Sequence, residues 1–267
     1  MLGANVTNHR SRTRFNNVLA GNIIKVNSAS GLFMNLLLLS SSRANNSDYL
    51  APAMQAIDNT LGKIRNVLFI PYAGVRINYD SYLAMVQQAL QPLGIHVQGI
   101  HHAENPAEAI ANAQGLLVGG GNTFMLLAKL YELNLIEQIQ HKVASGMPYI
   151  GWSAGSNIAG LSIKTTNDMP IIEPPSFRAL ALLPIQLNPH YTDFVPEGFH
   201  GETRDMRLAE FMEVEPNTPI IGLPEGTALR FVDGELSYLG GENAYVFSTG
   251  VKTPIAPSAD LSSLLSA

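Results

Sequence analysis

The sequence predicts an α/β fold built on a mostly parallel, doubly wound sheet, with short antiparallel strands near the C-terminus. Three observations predict it. Between Met34 and about residue 153, short and nearly continuous apolar runs recur, the pattern of strands buried on both faces. Segments of helical sequence separate those runs, as crossover connections between parallel strands require. The final third becomes rich in Pro and Gly and contains VDGEL, where Asp-Gly suits the tight primed turn of a hairpin.

Taken in order, MNLLLLSS reads as the first strand, followed by a helix from about Ser47 to Leu61. NVLFIPYA is the second strand, then a helix from about Tyr79 to Leu90. IHVQGIHH is the third, with PAEAIANAQ as a short helix after it. GLLVGGG is the fourth strand, followed by helical sequence from Thr123 to Ala144, and PYIGWS is the fifth. PIIGLP, ALRFVDGELSYLG and AYVFSTG read as short hairpin-like strands between about Pro219 and Gly250. Crossovers are expected to be right-handed. With no linker, repeat or low-complexity tract between the two parts, residues 34–267 are expected to form a single domain.

The chain has 267 residues, 46% of them hydrophobic and 14% charged, enough to bury a sizeable core. No run reaches the ~18–20 apolar residues of a membrane span. Cysteine is absent, which excludes a disulfide framework, a thiolate nucleophile and a cysteine-based zinc site. The net charge of −5 is unevenly spread. Residues 1–33 carry Arg10, Arg12, Arg14 and Lys25 and no acid, leaving twelve bases against twenty-one acids, a balance of −9. An acidic body argues against a nucleic-acid partner. The basic opening reads as a flexible extension, with Met34 as a more natural start. A transit peptide or a secretory signal with GLFMNLLLL as its apolar region are the alternatives.

The candidate chemistry centres on YIGWSAGSN. Ligands of open parallel sheets bind beyond the carboxyl ends of the strands, and Ser153 falls there, at the end of the fifth strand. Gly-x-Ser-x-Gly at a strand-to-helix turn is the nucleophile-elbow pattern, in which the serine is held in a strained conformation by neighbours without bulk. Gly151 and Gly155 supply those neighbours. The N–H of Ala154, at the start of the helix, can face an oxyanion.

A serine hydroxyl needs a base. Of seven histidines, His190 in LNPHYTD is the best candidate, because Pro189 puts it on a rigid bend after an apolar run. A carboxylate must then orient the imidazole. Asp168 in TTNDMP gives the order Ser, Asp, His. Glu225 in GLPEGTAL stands at the end of an apolar strand. Order and spacing leave both open. In VGGGNTF, glycine lets backbone approach a substrate closely, and Gly121 is expected as a second oxyanion donor. Asn122 and Thr123 can cap the next helix and are expected at the substrate. A phosphate cradle is disfavoured, since neither Gly-x-Gly-x-x-Gly nor the Walker lysine is present.

These pieces together resemble peptidase E, the aspartyl dipeptidase family of serine peptidases. LLLLSSS, FIPYAGV, VGGGNTF, YIGWSAGSN, TTNDMPI, LNPHYTD, PEGFHGETR and IGLPEG run in family order from Leu36 to Gly226. The resemblance implies a class I glutamine amidotransferase-like fold, hydrolysis of dipeptides with N-terminal aspartate, no cofactor or metal, and a cytoplasmic setting. It implies Ser153 as nucleophile, His190 as base, Asp168 or Glu225 as the third member, and the N–H groups of Gly121 and Ala154 as oxyanion donors. A substrate carboxylate loses water on binding and needs a cation or several donors. Arg204 in HGETR is expected to grip it with two bonds, with His200 as a weaker second. The partners expected are small dipeptides, with no membrane, and the chain is expected to be a monomer or homodimer. A cyanophycinase-like hydrolase of β-linked aspartyl peptides is the nearest rival. A non-catalytic anion-binding module and an esterase are the others.

Overall fold

The computed structural model describes residues 34–266, so the basic N-terminal extension lies outside the described residues. The first five strands are β1 (Asn35–Leu39), β2 (Asn66–Ile70), β3 (His96–Gly99), β4 (Leu116–Val118) and β5 (Tyr149–Trp152). All are parallel, in the spatial order β3-β2-β4-β5-β1. Two further strands, β8 (Ala228–Val232) and β9 (Glu235–Leu239), extend this sheet antiparallel beyond β1.

The strands are apolar throughout because both faces are covered. Leu36, Leu38, Leu68, Ile70, Leu116 and Val118 face one core cluster. Leu37, Leu39, Val67, Phe69, Leu117 and Trp152 face the other. Helices α1 (Met54–Leu61) and α2 (Tyr79–Leu90) pack Ile57, Leu61, Tyr82 and Val86 into the second cluster. Helices α3 (Pro106–Asn112), α4 (Thr123–Glu132) and α5 (Ile136–Ala144) pack Ile110, Leu127, Leu130 and Ile139 into the first. This is the expected doubly wound arrangement.

A second sheet lies downstream. Strand β6 (Gln186–Pro189) runs parallel to β7 (Ile220–Leu223), and β10 (Ala244–Ser248) pairs antiparallel with β7 and with β11 (Val251–Ile255). Helix α7 (Arg204–Val214) contributes Leu208 and Met212 to a small cluster with Tyr191, Ile220 and Phe247 on this sheet. The VDGEL hairpin forms as expected, joining β8 to β9 with Asp233 and Gly234 both at positive φ (53° and 85°).

Three expectations change. The helix read over Thr123–Ala144 is two, α4 and α5, because Asn134 takes φ 54° and breaks the ladder; asparagine is among the few side chains that tolerate that region. The helix expected from Ser47 begins at Met54, behind a 3₁₀ turn with Pro52 in its first positions and Leu50 at φ 59°. The PIIGLP segment is not in a hairpin with its sequence neighbour but pairs with β6, 34 residues upstream in register, and with β10.

Register sets the site. Leu39 pairs with Trp152, and Val118 pairs with Gly151. The chain therefore leaves β1, β4 and β5 at one edge, with Ser40, Gly119 and Ser153 next in line.

Candidate active site

Helix α6 (Ala154–Asn157) starts directly after Ser153, leaving one residue to reverse the chain. Ser153 takes φ 53°, ψ −113°, a conformation that costs a side-chain-bearing residue on the order of 1–3 kcal/mol. The surroundings enforce it. Its N–H donates to Leu39 O at 3.1 Å, and its carbonyl accepts from the N–H groups of Ser156 and Asn157, both at 2.9 Å. A Cβ on Gly151 would lie 2.3 Å from Gly155 O, and one on Gly155 would lie 2.1 Å from Val118 O. Both elbow glycines are thus required by close approach.

His190 follows β6 and Glu225 follows β7, and the parallel pairing of Pro189 with Leu223 brings them side by side. His190 Nε2 lies 2.9 Å from Ser153 Oγ, and its Nδ1 lies 2.7 Å from Glu225 Oε1. An ionised carboxylate only accepts, so Nδ1 carries the proton and Nε2 presents a lone pair to the Ser153 hydroxyl. The three groups form one directed chain, serine to imidazole to carboxylate. Glu225 is exposed and His190 and Ser153 are partly buried.

Asp168 is engaged elsewhere. Its Oδ2 accepts from Thr123 N (2.7 Å), Thr123 Oγ1 (2.5 Å) and Thr166 Oγ1 (3.2 Å), and no hydrogen bond joins it to His190. It sits at the N-terminus of α4, where a negative charge is favoured. Asn122 accepts from Met125 N at 3.0 Å and donates to Met169 O at 2.8 Å. The side chains of Asn122 and Thr123, expected at the substrate, are both occupied in tying the Asp168 segment to the glycine loop.

That loop touches the serine. A Cβ on Gly120 would lie 2.9 Å from Ser153 Cβ, and Gly121 takes φ 137° with its own Cβ position only 2.2 Å from Ala73 O. The Gly121 N–H has no acceptor among the described residues. Ala154 is the first residue of its helix, where N–H groups lack intrahelical partners.

Arg204 opens α7 and is half-buried. Its acidic sequence neighbours do not pair with it: Glu202 binds Arg207 at 3.5 Å, and Asp205 binds Lys252 at 2.9 Å. Burial, and then the like charge of Arg207, push its pKa down, with Asp168 opposing. Together with Lys164, Arg207 and Asn188 it lines a recess of about 40 Å³. His200 is exposed.

Two residues that the sequence did not single out hold the site together. Ser40, fully buried, accepts from His190 N at 2.9 Å and donates to Leu223 O at 2.7 Å. Ser41 Oγ accepts from Gly226 N at 3.0 Å. The two adjacent serines thereby fasten the chain beside both the histidine and the glutamate. Ser40→Ala leaves the His190 N–H without its acceptor and is expected to cost about 1–3 kcal/mol, measured as a lowered Tm in thermal melts.

Among the described residues one cluster has metal-ligand spacing: Asp80, His101 and His102, with ligand atoms within 4.8 Å of one another. Both Nε2 atoms already share Asp80 Oδ1, at 3.1 and 2.6 Å, and the buried His101 Nδ1 has no partner. A ring ligating through Nε2 would carry an unsatisfied N–H there, where metal-bound imidazoles normally have an acceptor. Asp80 and His101 border a cavity of about 470 Å³ whose walls do not include Ser153, His190 or Glu225. No helix among the described residues is long and apolar enough to cross a membrane.

The model of Peptidase family S51 matches residues 36–239. Peptidase E of Shewanella amazonensis is 54% identical over 230 residues, covering 86% of this chain and 98% of that protein. Peptidase E of Shewanella baltica OS195 is 52% identical over 233 residues, covering 87% and 98%. In fold, the chain is similar to a peptidase from an acI-B1 Actinobacterium, with TM-score 0.63 and 16% identity over 86% of this chain and 98% of that one.

Proposed function

The chain belongs to peptidase family S51 and is a serine peptidase, and from that premise we propose that it hydrolyses dipeptides with N-terminal aspartate through an acyl-enzyme on Ser153. The observation that carries this reading is the chain of hydrogen bonds from Ser153 Oγ to His190 to Glu225 at the elbow. Residues 34–267 act as one catalytic domain, in the cytoplasm, as a monomer or homodimer.

Ser153 Oγ attacks the scissile carbonyl carbon while its proton passes to His190 Nε2. Glu225 keeps the ring oriented and stabilises the imidazolium. The oxyanion is held by the N–H groups of Gly121 and Ala154, which cost no reorganisation if they are fixed beforehand. The imidazolium gives its proton to the leaving amine and the C–N bond breaks. Water, deprotonated by His190, then attacks the aspartyl ester, and its collapse returns the proton to Ser153 and frees aspartate. Asp168 serves the glycine loop, and Asn122 and Thr123 act on substrate through the loop they brace.

Arg204 receives the aspartate side chain. It is a partly desolvated cation without an ion pair among the described residues, and its depressed pKa marks a place where an anion is welcome. Arg204→Ala is expected to raise KM for Asp-Leu roughly 10–100-fold, the worth of a charged hydrogen bond, with little change toward Ala-Leu. Equal losses on both substrates would remove Arg204 from this role. The reading as a whole is tested by supplying the wild type with Asp-Leu and with a β-linked aspartate–arginine polymer; cleavage of the polymer alone would replace it with the cyanophycinase-like activity.

A further inference from the structure

Three successive glycines form the loosest backbone available to a protein, whereas an oxyanion donor acts only to the extent that its direction is fixed in advance. Gly119–Gly121 therefore needs a pin from outside. Helix α2 supplies one. The Tyr82 hydroxyl, on a residue only 4% exposed, lies 2.9 Å from Gly120 O, and the Trp152 Nε1–H lies 3.1 Å from the same hydroxyl. The direction of this relay is not free. An indole N–H can only donate and a carbonyl can only accept, so the phenolic proton goes to Gly120 O.

We propose that Tyr82 is a positioning residue for the oxyanion hole, acting through the Gly120–Gly121 peptide. That peptide is planar and trans, so its C=O and N–H point to opposite edges. Holding Gly120 O against the Tyr82 hydroxyl aims the Gly121 N–H the other way. The neighbours close off alternatives: a Cβ on Gly119 would lie 2.6 Å from the Tyr82 oxygen, Gly120 abuts Ser153, and Asn122 N donates to Ala73 O at 2.8 Å. Burial pushes the Tyr82 pKa up, which keeps the donor protonated. The upstream end of the relay, Trp152, is the residue before Ser153, so nucleophile and oxyanion loop are referenced to one buried hydroxyl.

The proposal rests on Ser153 being the nucleophile, and the test separates the two. In the full chain, Tyr82→Phe keeps the ring against Phe69 and deletes only the hydroxyl. It is expected to lower kcat for Asp-Leu about 10–100-fold, less than the complete loss of an oxyanion donor, with KM within about twofold. Affinity for the boronic acid analogue of aspartate, whose tetrahedral adduct occupies the oxyanion site, falls by the same factor, while affinity for the product aspartate does not. A merely structural role would weaken both ligands alike or lower only the folded fraction. Trp152→Phe removes the donor at the other end and is expected to give the same selective loss of the boronate, smaller in size; it carries the test if Tyr82→Phe does not fold. An unchanged ratio of boronate to aspartate affinity in the variant that folds overturns the proposal. If Ser153→Ala remains fully active, the reading of the site falls and this one with it; if Ser153→Ala is dead and the relay variants behave as wild type, only the relay falls.

Discussion

Ser153→Ala is expected to lower kcat for Asp-Leu by about 10⁴- to 10⁶-fold, as removal of the nucleophile does in other serine triads, while the protein folds and binds substrate much as before. The selectivity of that loss follows from the elbow. Alanine at φ 53° is as strained as serine, and every contact that enforces the conformation is made by backbone: Leu39 O, the N–H groups of Ser156 and Asn157, and the carbonyls against Gly151 and Gly155. Among the described residues, the one side-chain hydrogen bond removed is the hydroxyl's bond to His190 Nε2. Steady-state kinetics beside a thermal melt therefore separates chemistry from folding. A variant within tenfold of wild type, with an unchanged melt, would mean that another group does the work.

The same elbow explains why so much could be read from the sequence. Strands buried on both faces must be apolar at every position, so LLLL, NVLFI and GLLV stand out without any alternation, and Gly-Trp-Ser-Ala-Gly between one such run and a helix leaves few interpretations. The place of His190 beside Ser153 was legible because Pro189 fixes a bend after an apolar run. What was not legible depends on contacts between residues far apart in the chain. That Glu225, and not Asp168, lies against His190 follows from the pairing of β6 with β7, and local pattern carries no register. Ser40 and Tyr82 are hidden for a related reason: their partners are backbone atoms, His190 N and Gly120 O, 150 and 38 residues away. A serine after a strand and a tyrosine on a helix face look ordinary until the backbone they hold is seen. The break at Asn134 escaped because asparagine entering the left-handed region needs neither Gly nor Pro as a marker.

The disputed carboxylate yields the second large effect. Glu225→Gln replaces an obligate acceptor by a group whose NH₂ can donate to His190 Nδ1. That favours the tautomer with the proton on Nε2, which faces Ser153 and can no longer accept from it. A loss of about 10³- to 10⁴-fold in kcat is expected, the scale seen when a triad carboxylate becomes an amide. Solvent exposure of Glu225 places this chain toward the lower end, since water can compete for the ring. Asp168→Asn has a different physical content. The amide still offers one oxygen to the Thr123 N–H, Thr123 Oγ1 and Thr166 Oγ1 that now share Oδ2, but loses the negative charge at the α4 N-terminus, worth about 0.3–1 kcal/mol. A lower Tm and a kcat reduced less than about tenfold are expected, because the defect reaches the reaction only through the loop that carries Gly121. Turnover of Asp-Leu by both variants, with melts run in parallel, decides the matter: a folded Asp168→Asn that is inert beside a Glu225→Gln of near wild-type activity would transfer the orienting role to Asp168 and require a loop arrangement other than the one in which Thr123 holds it.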